Sequence, residues 1–403
     1  MLAGKRRGAL VILLLGACLL TGGCWDRREI QDRHFVLAVA IDKAETSSKE
    51  GMNSISEKEA ARHESFAQPH GSKKYRLSLQ ILRMAGGSGE EKGKTYVLSN
   101  TGESMFEMVR DMLGQTSKSL WFEHIQAIVI SEAVARENNL GQLLDFFIRD
   151  AEMRWRIKVY ITPGEARQII EFSPQNKEAG GLFLGNMIRL HPRSLHLAGA
   201  RTDMGYVTQS LDNQSTTGIP VIQLIEKNVK ITGLIYFQAG ELKGYVDEYT
   251  VAGIKLIRGT EKSGIITFPC PEHAGRMMSF EIFSHNTRFM PNVEGDRLYF
   301  TLKINMLGNL GEDQGCQKEH NLMEAEQLRK IEEAAAKAVE KYVVHAWYVQ
   351  QQMGVDLTSA EGKLKAHEPE TWQSIKGVWN EKLKEIPLFV SVNVSIRNIG
   401  EHR

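Results

Sequence analysis

The sequence predicts an α+β fold with several domains, built from mixed sheets and packed helices. Three observations predict this class. Strand and helix patterns alternate from about residue 75 to residue 171, strand patterns dominate after residue 219, and a long amphipathic helix and a terminal strand close the chain. The chain has 403 residues, enough for two or three domains of ordinary size.

The first segment is a hydrophobic leader. A basic stretch at residues 5–7 precedes an apolar run over residues 9–20, which is shorter than the roughly 20 residues that a transmembrane helix needs. Three small residues then precede Cys24. This arrangement predicts a lipoprotein signal peptide over residues 1–23, with diacylglyceryl attachment at Cys24. Cys18 is a second candidate, but the apolar run before it is shorter.

The residues directly after Cys24 are expected to lie near lipid headgroups. Two or three acyl chains on Cys24 would hold the mature chain durably on a membrane. Trp25 suits the interface because its ring is apolar and its N–H is polar. Arg27 and Arg28 can meet phosphates, while two acidic neighbours keep the segment from being strongly basic. The alternative is a solvated tether of mixed charge.

The N-terminal region, residues 24–215, is predicted to be an α/β region of two subdomains. Strands at residues 35–42 and 75–81 are expected to be antiparallel neighbours. Residues 45–74 between them are rich in Ser, Glu and Lys and predict a mobile insertion. Residues 172–217 are irregular and mark the main boundary. The other predicted elements are strands at 95–98, 125–130 and 155–161, helices at 104–112, 140–150 and 163–171, and a helix that Ser131 caps and that contains Val134.

The C-terminal region, residues 219–403, is predicted to be a second α+β domain. A long helix over residues 321–353 has apolar residues at every third or fourth position. A helical stretch over 370–386 contains Trp372 and Trp379, and a terminal strand covers 388–396. The earlier predicted elements are strands at 229–238, 242–246, 264–268, 280–288 and 297–306, and a short helix at 247–257.

Composition and motifs argue against several functional classes. The formal net charge is +1, and removal of the leader takes away three basic and no acidic residues, which leaves −2. No nucleic-acid partner is therefore expected, nor a polybasic mode of membrane binding. The sequence has no Walker A, GxSxG, HExxH or GxGxxG motif. No catalytic residue and no cofactor are therefore expected.

Two cysteines remain in the C-terminal half, and three interpretations are open. Cys270 with His273 and Cys316 with His320 could supply two sulfurs and two imidazoles to a zinc ion. The same cysteines could form a disulfide, or they could be unlinked. Neither segment has the paired-cysteine spacing of a typical zinc site. The favoured expectation is two unlinked cysteines and no metal.

Several segments, in order along the chain, resemble the Ger(x)C family, the C subunits of spore nutrient germinant receptors. The first is Cys24-Trp-Asp-Arg-Arg-Glu-Ile, followed by a strand that ends in Asp42. Further matching segments lie at 121–124, 144–150, 231–237, 242–245 and 390–400, with Asp356, Trp372 and Trp379. The chain departs from the family in its Thr-Gly-Gly before Cys24 and in the residues after Asp356.

The resemblance implies a non-enzymatic subunit anchored by lipid to the outer face of the spore inner membrane. Such a subunit acts with a multi-spanning A subunit and a transporter-like B subunit in nutrient-triggered germination. It also implies an α+β fold and makes direct nutrient binding by this chain unexpected. The alternative function is a free-standing lipoprotein that binds a small nutrient, for which a cleft between domains would be suitable.

Overall fold

A computed structural model describes residues 32–44, 74–83, 95–175, 178–188, 194–196, 202–260, 263–316 and 324–398. Within them the chain forms thirteen strands, eleven α-helices and two short 3₁₀ turns. The predicted signal peptide, Cys24 and nearly all of the predicted insertion lie outside the described residues. No helix in the described ranges is long and apolar enough to cross a membrane.

The elements of the first half follow one another as strands with intervening helices. They are β1 (Arg33–Lys43), β2 (Tyr75–Leu82), β3 (Thr95–Gly102), α1 (Met105–Met112), β4 (Ser119–Trp121), β5 (Ala127–Ser131), α2 (Glu132–Glu137), α3 (Leu140–Arg149), β6 (Lys158–Thr162), α4 (Ala166–Glu171), α5 (Gly180–Met187) and α6 (Met204–Asp212).

The second half begins with antiparallel strands and ends with helices and one strand. Its elements are β7 (Thr216–Ile225), β8 (Asn228–Gln238), β9 (Glu241–Asp247), α7 (Glu248–Arg258), β10 (Gly264–Pro269), β11 (Met277–Glu294), β12 (Arg297–Glu312), α8 (Ala325–Met353), α9 (Ala360–His367), α10 (Pro369–Ile375), α11 (Trp379–Leu383) and β13 (Leu388–Asn398).

The first sheet contains nine strands. Its order is β3-β2-β1-β5-β6-β7-β8-β9, and β4 pairs with the start of β1. The strands β1, β5, β6 and β7 are parallel, and antiparallel pairing begins at β2 on one side and at β8 on the other. The predicted antiparallel pairing of β1 and β2 is confirmed. It continues to the base of the insertion, where the backbone N–H of Ala44 donates to the carbonyl of Lys74 at 3.2 Å.

The second sheet has the order β10-β11-β12-β13. β13 is the last described strand, yet it pairs in parallel with β12, because α8 to α11 carry the chain back to the start of that strand. Helix α8 lies across this sheet and against α7. At the crossing of α7 and α8, a Cβ on Gly253 would lie 2.1 Å from the carbonyl oxygen of Tyr342. Only glycine therefore permits this helix contact.

The core is continuous from the first sheet into the second. One buried cluster lies on one face of the first sheet, beneath α1, α2, α3 and α6. The other joins the opposite face, which carries Ala38, Ala40 and Ala127, to α4, α5, α7, the second sheet and α8. The small residues let α5 approach closely, and a Cβ on Gly181 would lie 2.7 Å from the carbonyl oxygen of Leu37.

The first sheet contains strands from both sides of the predicted domain boundary at residues 172–217. Strands β7 to β9, which the sequence analysis assigned to the C-terminal domain, extend the first sheet. Their link to the N-terminal strands is short, with one pair between β6 and β7, Ile161 with Val221. The predicted domain limits themselves stay a prediction. The irregular composition of residues 172–217 gave no sign that the next strand rejoins the earlier sheet.

Several element boundaries differ from the predictions. The region 172–217 contains α5 and α6, which sequence analysis missed because glycine and polar residues interrupt their apolar faces. The predicted strand at 155–161 begins instead at Lys158. The three-residue strand β4 was not predicted. The long helix α8 agrees with its prediction over Ala325–Met353, the part that the structure describes.

Candidate membrane-proximal surface

The amino ends of the central strands share one edge of the first sheet, because β1, β5 and β6 are parallel. The chain enters β1 at this edge. Cys24 precedes Asp32, the first described residue, by eight positions, which an extended chain spans in about 30 Å at most. We call this edge, with the loops that precede β4, β5 and β6, the amino edge. This edge is therefore the candidate for the surface nearest to the predicted lipid site.

The first feature of the amino edge is a half-buried aromatic cluster. Parallel pairing of β4 with β1 places Trp121 opposite Phe35, and their ring centres are 5.0 Å apart. His124 packs against both rings, at 4.8 Å from Trp121 and 5.2 Å from Phe35. The guanidinium carbon of Arg33 lies 4.0 Å from the centre of the Trp121 ring. A cation–π contact therefore sits at the entrance to β1.

The second feature is the loop that leads into β6. Trp155 has 59% of its surface exposed, and Arg156 is also exposed. The loop is held in place because the N–H of Gly205 donates to the carbonyl of Trp155 at 2.9 Å. Neighbouring Arg154 pairs with Glu123 at 2.5 Å. This loop therefore presents a large aromatic side chain and a cation to solvent from a fixed backbone.

The third feature lies at the side formed by β2 and β3. The Tyr96 hydroxyl is 3.4 Å from Nδ1 of His34, and the guanidinium of Arg83 lies 5.6 Å from the Tyr96 ring. Partial burial lowers the pKa of His34, and the nearby Lys118 lowers it further. This lowered pKa favours the neutral imidazole at neutral pH. Charge on this side therefore comes from Arg83 and Lys118.

Two acidic residues of the amino edge are engaged in hydrogen bonds. The hydrogen bond from Arg154 lowers the pKa of Glu123, so this carboxylate stays ionised and balances Arg154. Glu152 accepts a backbone hydrogen bond from Phe122 at 3.1 Å. Tryptophan, tyrosine and arginine together are the side chains typical of a membrane–water interface, where an apolar ring and a polar tip are both accommodated.

The carboxyl end of β1 has a different construction. Asp42 is 2% exposed and accepts backbone hydrogen bonds from Ala166 at 2.7 Å and from Arg167 at 2.9 Å. It thereby caps α4 across the sheet. Burial raises the pKa of Asp42, although the two hydrogen bonds and the nearby Arg76 oppose this effect. This residue stabilises the fold and is not open to a ligand.

The predicted contact residues are Cys24, Trp25, Arg27 and Arg28, and all four lie outside the described residues. Their roles stay predictions. The ring of His124 packs against those of Phe35 and Trp121, so this histidine is part of the aromatic cluster. Sequence analysis missed Trp155, which it placed inside a strand. Arg154, Arg156 and Lys158 alternate with apolar residues in the pattern of a half-buried strand, so no local signal marked Trp155 as a loop residue.

The two cysteines of the C-terminal half are brought together. The sulfurs of Cys270 and Cys316 form a disulfide, with Cα atoms 6.6 Å apart. The expectation of unlinked cysteines was therefore wrong. Forty-six residues separate the two cysteines, and only the pairing of β10, β11 and β12 brings their turns to the same end of the sheet. His320, the other histidine considered for zinc, lies outside the described residues.

Comparison with known sequence families covers most of the chain. Residues 26–226 match the family described as "Spore germination protein N-terminal domain". Residues 232–400 match "Spore germination B3/GerAC like, C-terminal". The chain belongs to the Ger(x)C family of spore germination proteins. The first match ends in the turn between β7 and β8, and the second begins within β8, so both limits fall inside the first sheet.

Individual Ger(x)C relatives match over nearly their full length. The spore germination protein YndF of Bacillus subtilis is 24% identical, over 97% of this chain and 96% of the relative. Spore germination protein KC of the same organism is 23% identical, over 98% of this chain and 96% of the relative. The crystal structure of the GerBC protein superposes with a TM-score of 0.58 at 20% identity. That match covers 82% of this chain and 96% of GerBC, and it supports the α+β fold.

Proposed function

We propose that this protein is the non-enzymatic, lipid-anchored C subunit of a spore germinant receptor. In this proposal Cys24 carries the diacylglyceryl group on the outer face of the spore inner membrane. The chain acts there with membrane-embedded A and B subunits in nutrient-triggered germination. Membership of the Ger(x)C family supports the germination role, because relatives named as spore germination proteins A3, B3 and KC match along almost the whole chain.

The composition and position of the amino edge support a specific orientation of the anchored protein on the membrane. This edge is the one at which the chain arrives from the predicted lipid site, and it displays Trp121, Trp155 and Arg33. In this proposal the edge faces the headgroups, and Trp25, Arg27 and Arg28 fill the space between it and the membrane.

The decisive variant is Cys24→Ala. Without the thiol no lipid can be attached, so the protein is expected to leave the membrane fraction and nutrient germination to fall sharply. The measurements are immunoblots of fractionated spores and the loss of optical density after nutrient addition. Cys18→Ala is the matched control, and it should leave both readouts unchanged. Normal membrane retention together with normal germination of the Cys24→Ala strain would refute the proposal.

A further inference from the structure

A second chemical feature lies at one end of the second sheet, far along the chain from the amino edge. Cys270 follows β10, and Cys316 lies in the turn after β12. Both cysteines are buried, with 7% and 6% of their surfaces exposed. The disulfide is one state of this pair, and its reduced state would place two thiols side by side.

An imidazole stands beside the two sulfurs. Nδ1 of His273 is 3.8 Å from Sγ of Cys270 and 4.0 Å from Sγ of Cys316. The three potential ligand atoms lie within 4.8 Å of one another. In a tetrahedral zinc site with Zn–S of about 2.3 Å and Zn–N of about 2.0 Å, ligand atoms are roughly 3.5–3.8 Å apart. His273 therefore needs to move by only a few tenths of an ångström to become a third ligand.

The two turns are held by contacts that do not involve the disulfide. The first turn is closed because the N–H of Cys270 donates to the carbonyl of Arg276 at 2.9 Å. The guanidinium of Arg276 donates to the carbonyl of Gly315 at 2.5 Å and so joins the two turns. In the second turn, the N–H of Cys316 donates to the carbonyl of Asp313 at 2.9 Å. Reduction of the disulfide should therefore leave the three side chains close together.

The second turn also contains a carboxylate, that of Asp313, three residues before Cys316. Asp313 Oδ1 accepts a hydrogen bond from the N–H of Gly315 at 3.0 Å. Its other oxygen, Oδ2, is buried and has no hydrogen-bond partner in the described part of the chain. A buried carboxylate oxygen without a partner is costly, and a nearby positive ion would lower that cost.

We propose that the reduced Cys270–Cys316 pair and His273 bind one thiophilic divalent cation, with zinc as the reference ion. Water or another donor fills the fourth position. A dithiol reductant gives two electrons and two protons to the disulfide and is itself oxidised to a disulfide. The two thiols then lose their protons to solvent as two thiolate–metal bonds form. The oxidation state of the cysteine pair therefore decides whether the metal binds.

The test uses the full chain, purified in detergent, with Cys18→Ser and Cys24→Ser in every sample. Only Cys270 and Cys316 then remain as thiols. Co²⁺ is added to the phosphine-reduced and to the oxidised protein, and the cobalt–thiolate charge-transfer band is recorded. Zinc is then titrated against a chromophoric chelator. The reduced protein should bind one Zn²⁺ per chain and show the cobalt band, whereas the oxidised protein should do neither.

Variants identify the ligands. His273→Ala should weaken zinc binding at least about tenfold, and His273→Cys should restore it by supplying a third thiolate. Cys316→Ser should abolish the cobalt band. His367→Ala, which changes an exposed histidine at the end of α9, is the matched control and should have no effect. The proposal is overturned if the reduced protein shows no cobalt band, or if His273→Ala binds zinc as tightly as the parent.

Discussion

The two ends of strand β1 are built for different purposes. At the carboxyl end, Asp42 is almost fully buried, and both of its oxygens accept backbone hydrogen bonds from the start of α4. At the amino end, Phe35 and the Trp121 that packs on it are only half-buried, and Trp155 nearby is largely exposed. A buried polar group with its hydrogen bonds satisfied stabilises the fold. Aromatic and basic side chains that are partly exposed to solvent can still contact a membrane.

The largest expected effect is at the carboxyl end. Asp42→Ala leaves two N–H groups at the start of α4 without their acceptor, of which that of Ala166 is buried. An unsatisfied buried donor costs about 1–3 kcal/mol, so we expect the free energy of unfolding to fall by about 2–4 kcal/mol. Urea denaturation followed by circular dichroism measures this change.

Asp145→Ala is the control for Asp42. Asp145 is an exposed carboxylate that pairs with Arg149 one turn along α3, and such a pair contributes little. Its loss should change the free energy of unfolding by less than about 0.5 kcal/mol. A similar small change for Asp42→Ala would mean that the hydrogen bonds to α4 do not stabilise the fold, and the contrast between the two ends would fail.

Substitutions at the amino edge are expected to change the free energy of unfolding less than Asp42→Ala does. They should instead weaken membrane binding directly. The double variant Trp155→Ala, Arg156→Gln removes an exposed ring and an exposed cation. Each basic residue near an anionic surface contributes about 1 kcal/mol. We expect the unlipidated Cys24→Ala chain to bind phosphatidylglycerol-containing vesicles about fivefold to tenfold more weakly after the double substitution, while the unfolding curve hardly moves. Vesicle sedimentation measures the binding.

Phe389→Ala provides the matched control for Trp155. Phe389 is also 59% exposed, but it lies on β13 in the second sheet and not in the sheet that contains β1. Its loss should leave vesicle binding unchanged if the amino edge faces the membrane. Equal losses for the two variants would show that exposed aromatic residues bind vesicles without regard to position, and the assigned orientation would be rejected.

The smallest effect is expected for the predicted insertion after β1. The hydrogen bond between Ala44 and Lys74 closes its base, and β1 and β2 pair from that point onward. The cost of closing a loop rises only with the logarithm of its length. Replacing residues 46–72 with a short Gly-Ser turn should therefore keep the melting temperature within a few degrees. Differential scanning fluorimetry measures it, and a collapse of stability would show that the segment packs against the fold.

Sequence analysis predicted the elements whose pattern is local. Strands β1 and β2 and helix α8 were recognised because periods of two and of three to four residues follow directly from burial of one face. The antiparallel pairing of β1 with β2 was also predicted. The aromatic cluster was not, because Phe35 and Trp121 meet only through a three-residue parallel strand that has too little pattern to be recognised.

The sequence by itself determined the fold class, the family and the chemistry expected at Cys24, because composition, periodicity and short motifs are properties of neighbouring residues. The tertiary structure alone decided that Trp155 lies at the same edge as Arg33, and that Cys270 meets Cys316 beside His273. It also decided that β7 continues the N-terminal sheet. These outcomes depend on which strands pair when they are not neighbours in the sequence. Such pairing leaves no signal in a local pattern, because backbone hydrogen bonds are the same for every residue except proline.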